Sequence, residues 1–226
     1  PQLIMALEGH DSKLVPFSMM RTGLIYSIDS KNINTITGNS LLSVNDIALP
    51  GKHNLSNMLC AATSSSLMGI SDKHIANVMK TFTGVEHRLE NVAIIKDVTY
   101  INDSKATNLD SVSVAIQSFN KPVVLILGGR NKGADFRLLL PHIKSSHVRD
   151  IISYGEAGGQ ISTAIGDAVR SVQVTDLNSA VTTAQRLAAP GDVVLLSPGC
   201  ASFDQFANFE ERGQYFKTKV LEMMAA

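Results

Sequence analysis

The spacing of apolar and polar residues changes near residue 90. Before it, residues 13–50 contain short apolar-leaning runs separated by turn residues, which predicts a small β-meander with hairpin connections at residues 29–32 and 38–39. Two helices are predicted next, one from about Asn54 and one from Ser71 to about Phe82, with Asp72 in the first turn of the second. After about Asn91, apolar runs of strand length alternate with helical segments.

The alternating part predicts a Rossmann-like α/β fold. Strands that alternate with helices of roughly 10–15 residues are typical of βαβ units around a mainly parallel sheet. The runs VVLIL and VVLL are almost wholly apolar, as expected of strands covered by helices on both faces. We therefore expect a doubly wound sheet of about six strands. The first predicted strand, VAIIKDVTYI, is expected to be antiparallel or to lie at the edge.

The segment GVEHRLE, residues 84–90, separates the two patterns. It contains a glycine and mixed charges and has no strong period, so it is interpreted as a hinge or linker. We accordingly predict one domain at residues 1–88, with the meander and two helices, and a second at residues 89–226.

Composition narrows the possible functions. The 226 residues include twenty basic and twenty acidic side chains, so a broad nucleic-acid-binding surface is not expected. No apolar run reaches about 18 residues, and no signal-peptide pattern begins the chain, so no membrane span is expected. Cys60 and Cys200 lack metal or redox spacing, which favours a reduced compartment, and Cys60 is interpreted as a small core residue.

Candidate chemistry lies in three loops that follow predicted strands. In an open α/β sheet, ligands bind at the carboxyl ends of the strands. The loops NDSKATN, GGRNKGADF and SPGCASFDQF leave those ends. Together they carry Asp103, Ser104, Lys105, Thr107, Arg130, Lys132 and Ser202. Because the chain has no net charge, we predict a local cationic rim, with N–H groups of helix N-termini, that binds an anion.

Structural explanations of these residues remain open. Thr107 or Asn108 could cap the next helix, Asp103 could be a turn residue, and Ser202 could be a helix cap. Capping explains one polar residue of NDSKATN but not six, which favours a functional site. The run GGRNKG lacks the G-x-G-x-x-G spacing of a dinucleotide site.

Three further residues could bind a nucleotide. Asn54 and Asn57 lie three positions apart at a helix start and share one face, so they could be caps or could contact the edge of a base. Arg88 and His87 could be a solvated pair, or Arg88 could reach a phosphate. No metal site is predicted, since His53 has no second ligand at suitable spacing.

Five motifs, in order and spacing, resemble the Mur ligase family, and in particular its members that add D-glutamate. They are GKHNLSNMLCAA, GVEHRLE, INDSKATN, LILGGRNKGADF and LLSPGCASFDQFANFEERG. The resemblance covers essentially the whole chain. It implies that residues 1–88 are the C-terminal part of a central ATP-binding domain and residues 89–226 a C-terminal amino-acid-binding domain. The chain starts at Pro1 and contains no P-loop, so we expect a fragment that is inactive alone, with Mg²⁺ ligands upstream.

The resemblance also implies an activity and residue roles. It implies an ATP-dependent ligase of peptidoglycan synthesis that joins D-glutamate to UDP-N-acetylmuramoyl-L-alanine through an acyl phosphate, as a cytoplasmic monomer. The nucleotide would be contacted by Asn54 and Asn57 at the adenine, Arg88 at the ribose or phosphates, Asp103 at the ribose and Lys105 at the phosphates. Arg88 and Lys105 would thereby be catalytic. The D-glutamate pocket would comprise Thr107, Lys132, Ser202, Phe203 and Phe209.

Three alternatives remain. The second half could be a nucleotide-binding Rossmann module of another enzyme, such as a dehydrogenase, although the missing fingerprint argues against it. It could be a stand-alone interaction domain. A ligase similar to folylpolyglutamate synthase is the third.

Overall fold

The computed structural model describes residues 24–29, 31–49 and 52–224, without the side chains of residues 52 and 53. The chain divides into two compact units, residues 1–83 and 84–226. The strand predicted at LVPFSM lies outside the described residues.

The first unit contains a small antiparallel sheet and two helices. Its strands are β1 (Tyr26–Ile28), β2 (Asn32–Thr35) and β3 (Ser40–Ser43), paired in that order, and a 3-10 turn follows at Val44–Asp46. The helices are α1 (Lys52–Leu67) and α2 (Asp72–Thr81). Buried residues of the sheet, such as Tyr26 and Ile33, pack with Leu59 of α1 and Ile75 of α2. The predicted meander and helix pair are therefore present.

The second unit is built on a six-stranded sheet. Its strands are β4 (Glu90–Ile95), β5 (Val98–Asn102), β6 (Val123–Gly128), β7 (Val148–Tyr154), β8 (Arg170–Gln173) and β9 (Val193–Gly199). The helices are α3 (Leu109–Gln117), α4 (Leu140–Lys144), α5 (Gly158–Ile165), α6 (Leu177–Leu187) and α7 (Phe209–Glu222), with 3-10 turns at Phe136–Leu139 and Gly166–Ala168. The strand order is β4-β5-β9-β6-β7-β8. Every neighbouring pair is parallel except β4 with β5.

Alternate residues of the central strands face two helix layers. On β6, Leu125 and Leu127 pack in one core with α3, α4 and α5, whereas Val124 and Ile126 pack in another with α6 and α7. All residues of β6 and β9 are buried. This two-sided burial explains their almost wholly apolar sequences and confirms the predicted doubly wound α/β architecture.

The first predicted strand is two strands. The run VAIIKDVTYI forms β4 and β5, joined at Lys96 and Asp97, with Ile95 paired to Val98. Lys96 and Asp97 have φ values of 50° and 63°, which is the left-handed pair that a two-residue hairpin turn requires. The sequence prediction was wrong here because such turns usually contain Asn-Gly or Asp-Gly. The antiparallel edge strand is present as expected.

The segment 84–90 packs with the second unit. Lys217 Nζ on α7 lies 2.7 Å from Glu86 Oε1 and 2.6 Å from Glu90 Oε1. His87 is 6% exposed, and Glu90 already begins β4. These contacts place residues 84–88 with the second unit. The boundary between the units therefore lies after residue 83, whereas the sequence predicts it after residue 88.

Replacing Lys96 and Asp97 with Asn and Gly should stabilise the second unit by about 0.5–1 kcal/mol, because these residues tolerate positive φ better. Chemical denaturation, followed by a probe in the second unit, measures the change. Asp110→Gly, in the first turn of α3, is the matched control and should destabilise by about 1 kcal/mol. A loss of stability in the turn variant would contradict the assigned turn.

Candidate ligand site at the carboxyl edge of the sheet

Three loops meet at one edge of the second unit because β9 lies between β5 and β6. We call residues 103–108, 129–135 and 200–208 the first, second and third loops, and together the carboxyl rim. Gly199 N at the end of β9 donates to Ala106 O of the first loop at 2.8 Å. Arg130 of the second loop and Ala201 of the third exchange two backbone hydrogen bonds, of 2.9 and 3.1 Å. The backbone of the rim is therefore cross-linked.

Two polar residues of the first loop have structural roles. Asn108 caps α3, and its side chain accepts from Ser111 N at 2.9 Å. Ser104 is buried, and its hydroxyl donates to Phe209 O at 2.8 Å. Ser104 was expected among the ligand-facing residues, but its burial and these bonds withdraw it from the rim surface. The helix cap belongs to Asn108, which leaves Thr107 without a capping role.

Asp103 lies beneath the rim surface. It is 5% exposed, and its carboxylate accepts from Leu89 N at 3.2 Å and from Ser197 Oγ at 2.7 Å. Loss of solvation on burial raises the pKa of Asp103 to about 6. The carboxylate therefore connects the segment around Arg88 to β9, and its contact with a ribose remains a prediction.

Arg88 is presented by a strained turn. The flanking residues His87 and Leu89 have φ values of 65° and 45°, which are uncommon for residues other than glycine. Glu90 Oε2 accepts from His87 N at 2.9 Å, and His87 O accepts from Lys105 N at 3.0 Å. These bonds hold the turn while the Arg88 side chain stays exposed.

His87 is a buried residue and not half of a solvated pair. Its Nδ1 lies 2.9 Å from Asn102 Nδ2. When the His87 proton is on Nε2, Nδ1 accepts a hydrogen bond from the Asn102 amide. A Cβ added at Gly213 of α7 would overlap the His87 ring. The close approach of this ring explains a glycine inside a helix, where glycine is otherwise unfavourable.

An aromatic contact orients Lys105. The Lys105 ammonium lies 3.9 Å from the centroid of the Phe209 ring, a cation–π contact. Phe209 in turn meets the His87 ring edge-on at 6.2 Å between centroids. The predicted phosphate ligand Lys105 thus lies beside the backbone segment that carries Arg88.

The second loop contributes one unpaired cation rather than two. Arg130 is neutralised by Glu156, whose carboxylate lies 2.7 Å from Nη2 and 2.9 Å from Nε. This corrects the expectation that Arg130 adds charge to the rim. Asn131 organises the loop by donating to Ala134 O at 3.1 Å and accepting from Ala134 N at 2.8 Å. Lys132, next to Asn131, is exposed.

The third loop places Ser202 and Phe203 at different depths. Ser202 is 2% exposed, whereas Phe203 is 60% exposed. The helix that follows is capped by Asn208, whose side chain accepts from Glu211 N at 2.7 Å. Ser202 is therefore not the cap of α7, and the capping explanation for it is wrong.

Four predicted ligand residues have side chains without a hydrogen-bond or ion-pair partner in the part of the chain that the structure describes. Within residues 24–29, 31–49 and 52–224, no side-chain hydrogen bond or ion pair engages Arg88, Thr107, Lys132 or Ser202. Their neighbours at the rim are satisfied internally. Two cations and two hydroxyls left unpaired suit a ligand that carries carboxylate or phosphate groups.

Arg212 is the residue that the sequence prediction missed. It is 1% exposed, and its guanidinium donates to Ser104 Oγ, Ser104 O and Cys200 O at 2.9, 2.9 and 3.1 Å. It lies in the first turn of α7 within FEERG, where an arginine among other charges indicates an exposed helix face. Nothing in the local pattern therefore identified it.

The other predicted nucleotide ligands lie in the first unit. Asn54 and Asn57 are both on α1, Asn54 half-buried and Asn57 exposed, three positions apart as expected. Their contact with adenine remains a prediction.

Glu86, His87 and Glu90 bring three potential metal ligands within 4.8 Å of one another. The Lys217 ammonium already contacts both carboxylates, and His87 Nδ1 faces the Asn102 amide. These contacts already satisfy the group, so its chemistry does not fit a bound Mg²⁺ ion.

Comparison with known proteins identifies the family. The family described as "Mur ligase, glutamate ligase domain" matches residues 87–200, which is half of the chain. This chain belongs to the Mur ligase family. The match confirms the resemblance seen in the five motifs.

Curated relatives within the Mur ligase family extend the match. A protein from Salinibacter ruber named UDP-N-acetylmuramoylalanine–D-glutamate ligase is 44% identical over 80% of this chain and 39% of its own length. One of the same name from Leuconostoc mesenteroides is 40% identical over 95% of this chain and 47% of its own length. The chain thus spans less than half the length of these relatives.

Solved structures share the fold at low identity. UDP-N-acetylmuramate-alanine ligase from Thermotoga maritima matches with a TM-score of 0.63 at 14% identity, over 88% of this chain and 46% of that one. A bifunctional folylpolyglutamate synthase/dihydrofolate synthase from Yersinia pestis matches with a TM-score of 0.58 at 17% identity, over 92% and 48%. Both support the architecture only. In the part of the chain that the structure describes, no helix has the length and apolar character to cross a membrane.

Asp103 should titrate with a pKa of about 6 instead of its ordinary 3.8, which carboxyl ¹³C NMR can measure. Because the native-state pKa is raised, the native state favours the protonated form. The contribution of Asp103 to the stability of the second unit should therefore be fully present below about pH 4 and should fall by up to about 3 kcal/mol as the pH rises through 6.

Asp103→Asn should remove most of this fall. Asp176, whose pKa is lowered chiefly by the backbone hydrogen bond from Ser179, is the control in the same spectra and should titrate below 3.8. Titration of Asp103 at or below 4 would show that its carboxylate is solvated.

Proposed function

We propose that this chain forms the acceptor-binding and part of the nucleotide-binding machinery of an ATP-dependent ligase. The ligase joins D-glutamate to UDP-N-acetylmuramoyl-L-alanine in peptidoglycan synthesis. Residues 1–83 are proposed as the C-terminal part of its ATP-binding domain, and residues 84–226, which include the segment around Arg88, as its amino-acid-binding domain. The observation that carries this proposal is the set of unpartnered side chains, Arg88, Thr107, Lys132 and Ser202, at the rim of a Mur ligase fold.

The proposed reaction has two steps. The terminal carboxylate of the muramoyl substrate attacks the γ-phosphorus of ATP, forming an acyl phosphate and releasing ADP. The amine of D-glutamate then attacks the acyl carbon, loses a proton, and phosphate leaves. Both steps develop negative charge on oxygen, so they need cations and N–H donors held in place beforehand. The cross-linked backbone of the carboxyl rim meets this requirement.

The amino-acid end of the site is assigned to the three loops of the carboxyl rim. Lys132 on the second loop and Ser202 on the third are proposed to bind carboxylates of D-glutamate, with Thr107 as a further donor. Phe203 and Phe209 form the apolar walls. Phe203 is 60% exposed, which supports a role in covering a bound ligand.

The nucleotide end is assigned to Arg88 and Lys105. The strained turn and the Phe209 ring keep both cations beside the first loop, which supports contacts with phosphates. Asn54 and Asn57 are proposed to contact adenine and Asp103 the ribose. ATP supplies the phosphoryl group. The family's Mg²⁺ ion is proposed to bind elsewhere, so no step is assigned to a metal held by the described residues.

The cellular setting follows from these substrates. We propose a cytoplasmic, monomeric enzyme without nucleic-acid or membrane partners. The zero net charge of the chain supports the expectation of no nucleic-acid partner.

The deciding experiment measures phosphate release by the full-length protein that contains this chain. Release should require UDP-N-acetylmuramoyl-L-alanine, D-glutamate and ATP together. Lys132→Ala should lower kcat/KM for D-glutamate about 10- to 100-fold, since a charge-assisted hydrogen bond to a carboxylate is worth roughly 1.5–3 kcal/mol.

Lys144→Ala is the matched control, because Lys144 ends α4 and is exposed away from the rim. It should leave the kinetics unchanged. Turnover by Lys132→Ala at the wild-type rate would refute the pocket assignment. Turnover with a folate and L-glutamate in place of the muramoyl substrate would favour the folylpolyglutamate-synthase-like alternative.

A further inference from the structure

Arg212 combines complete burial with neutral partners. It is among the largest fully buried side chains of the described residues, and no carboxylate there lies within 4.0 Å of its guanidinium. Burying an arginine without a counter-ion is costly unless its N–H groups are well bonded. Three of them donate to two oxygens of Ser104 and one of Cys200. An apolar residue would fill the same space without the desolvation cost of a buried charge. Packing alone therefore does not explain an arginine at this position.

The partners of Arg212 belong to two different loops of the carboxyl rim. Ser104 precedes Lys105 in the first loop, and Cys200 lies two residues before Ser202 in the third. Arg212 itself extends from α7, whose first residue, Phe209, accepts the Ser104 hydroxyl hydrogen bond. The guanidinium thus joins the first loop, the third loop and the start of α7.

The second loop approaches the same group. A Cβ added at Gly129 would lie 3.2 Å from Arg212 Nη1 and would overlap Ala201 O. Gly129 has a φ of 120°, which also disfavours a side chain there. Only a glycine lets the second loop, which carries Lys132, lie this close to the third.

We propose that Arg212 is a positioning residue for the candidate site. Its planar guanidinium sets the spacing between Lys105 and Thr107 on one loop and Ser202 on the other, and touches no ligand itself. We call this connection between the first and third loops the Arg212 clamp, and it rests on the hydrogen bonds of Arg212 alone. Its consequence for D-glutamate rests on the proposed function.

Two substitutions separate charge from geometry. Arg212→Lys retains the charge but cannot make three hydrogen bonds in a fixed plane. Arg212→Met retains much of the side-chain volume but removes both the charge and the hydrogen bonds. Arg149→Met is the matched control. Arg149 also makes three guanidinium contacts, with Asp150, Asp192 and Leu187 O, but at the start of β7, on the opposite edge of the sheet.

Native-state hydrogen exchange of the 226-residue chain tests the clamp without any activity. In Arg212→Lys, amides 104–107 and 200–202 should exchange at least 10-fold faster, while β6 amides change less than 3-fold. Arg149→Met should accelerate amides near residues 150 and 189–192 and spare the rim. Uniform acceleration across the second unit in Arg212→Lys, or unchanged exchange at the two loops, would overturn the proposal.

Kinetics of the full-length protein that contains this chain test the consequence. Arg212→Met should lower kcat/KM for D-glutamate about 100-fold, and Arg212→Lys about 10-fold, with Arg149→Met at the wild-type value. A clamp that is only structural would lower the active fraction, so kcat would fall with KM unchanged. That result would overturn the positioning role. If the wild type shows no ligase turnover, the proposed function is refuted. The hydrogen-exchange experiment still tests whether Arg212 holds the first and third loops together.

Discussion

The insertion of β9 between β5 and β6 is the constraint on which the second unit depends. The last strand along the chain occupies the centre of the sheet, where both of its edges form parallel ladders and both of its faces are buried. A buried strand must satisfy its backbone groups, and β9 does so through parallel ladders with both neighbours. This pairing brings together loops that are distant in sequence and gives the carboxyl rim its three components.

The carboxyl rim contains two kinds of polar side chain: those that make internal hydrogen bonds and those that make none among the described residues. Ser104, Asn108, Asn131 and Asp103 use their hydrogen bonds internally. Their neighbours Lys132 and Ser202 do not, although they lie one or a few residues away. A rigid support that also carries unpaired polar groups is the arrangement expected of a preorganised binding site, because the conformational entropy of ordering is lost on folding and not on binding.

The same support maintains two unfavourable local states. His87 and Leu89 adopt left-handed backbone conformations, and Arg212 is a buried cation whose acceptors among the described residues are all neutral. Each would relax if its partners were removed. The carboxylates of Glu90 and Asp103 stabilise the strained turn by accepting hydrogen bonds from the backbone N–H groups of His87 and Leu89. Ser104 connects the first loop to Arg212. Strain and buried charge therefore occur on elements that carry Arg88, Lys105 and Ser202.

Sequence reasoning succeeded where a local rule was sufficient. The apolar runs of β6 and β9, the cap at Asn108 and the alternation of strands and helices follow from burial on two faces and from helix-end chemistry. It failed where the partner was remote. Glu156 neutralises Arg130 from the neighbouring strand's loop, and His87 is buried against a glycine on α7. Neither neighbour is visible from spacing along the chain, and the Lys96–Asp97 turn lacks its usual residues.

By itself, the sequence determined the fold class, the family and the loops in which candidate ligands lie, because hydrophobic periodicity and short motifs are encoded locally. Only the tertiary structure decided which of those polar residues are available. That outcome depends on which side chains find hydrogen-bond partners after β9 pairs with β5 and β6. Arg212 shows the difference most clearly, since an arginine in a charged helix turn becomes a buried clamp only when two distant loops surround it.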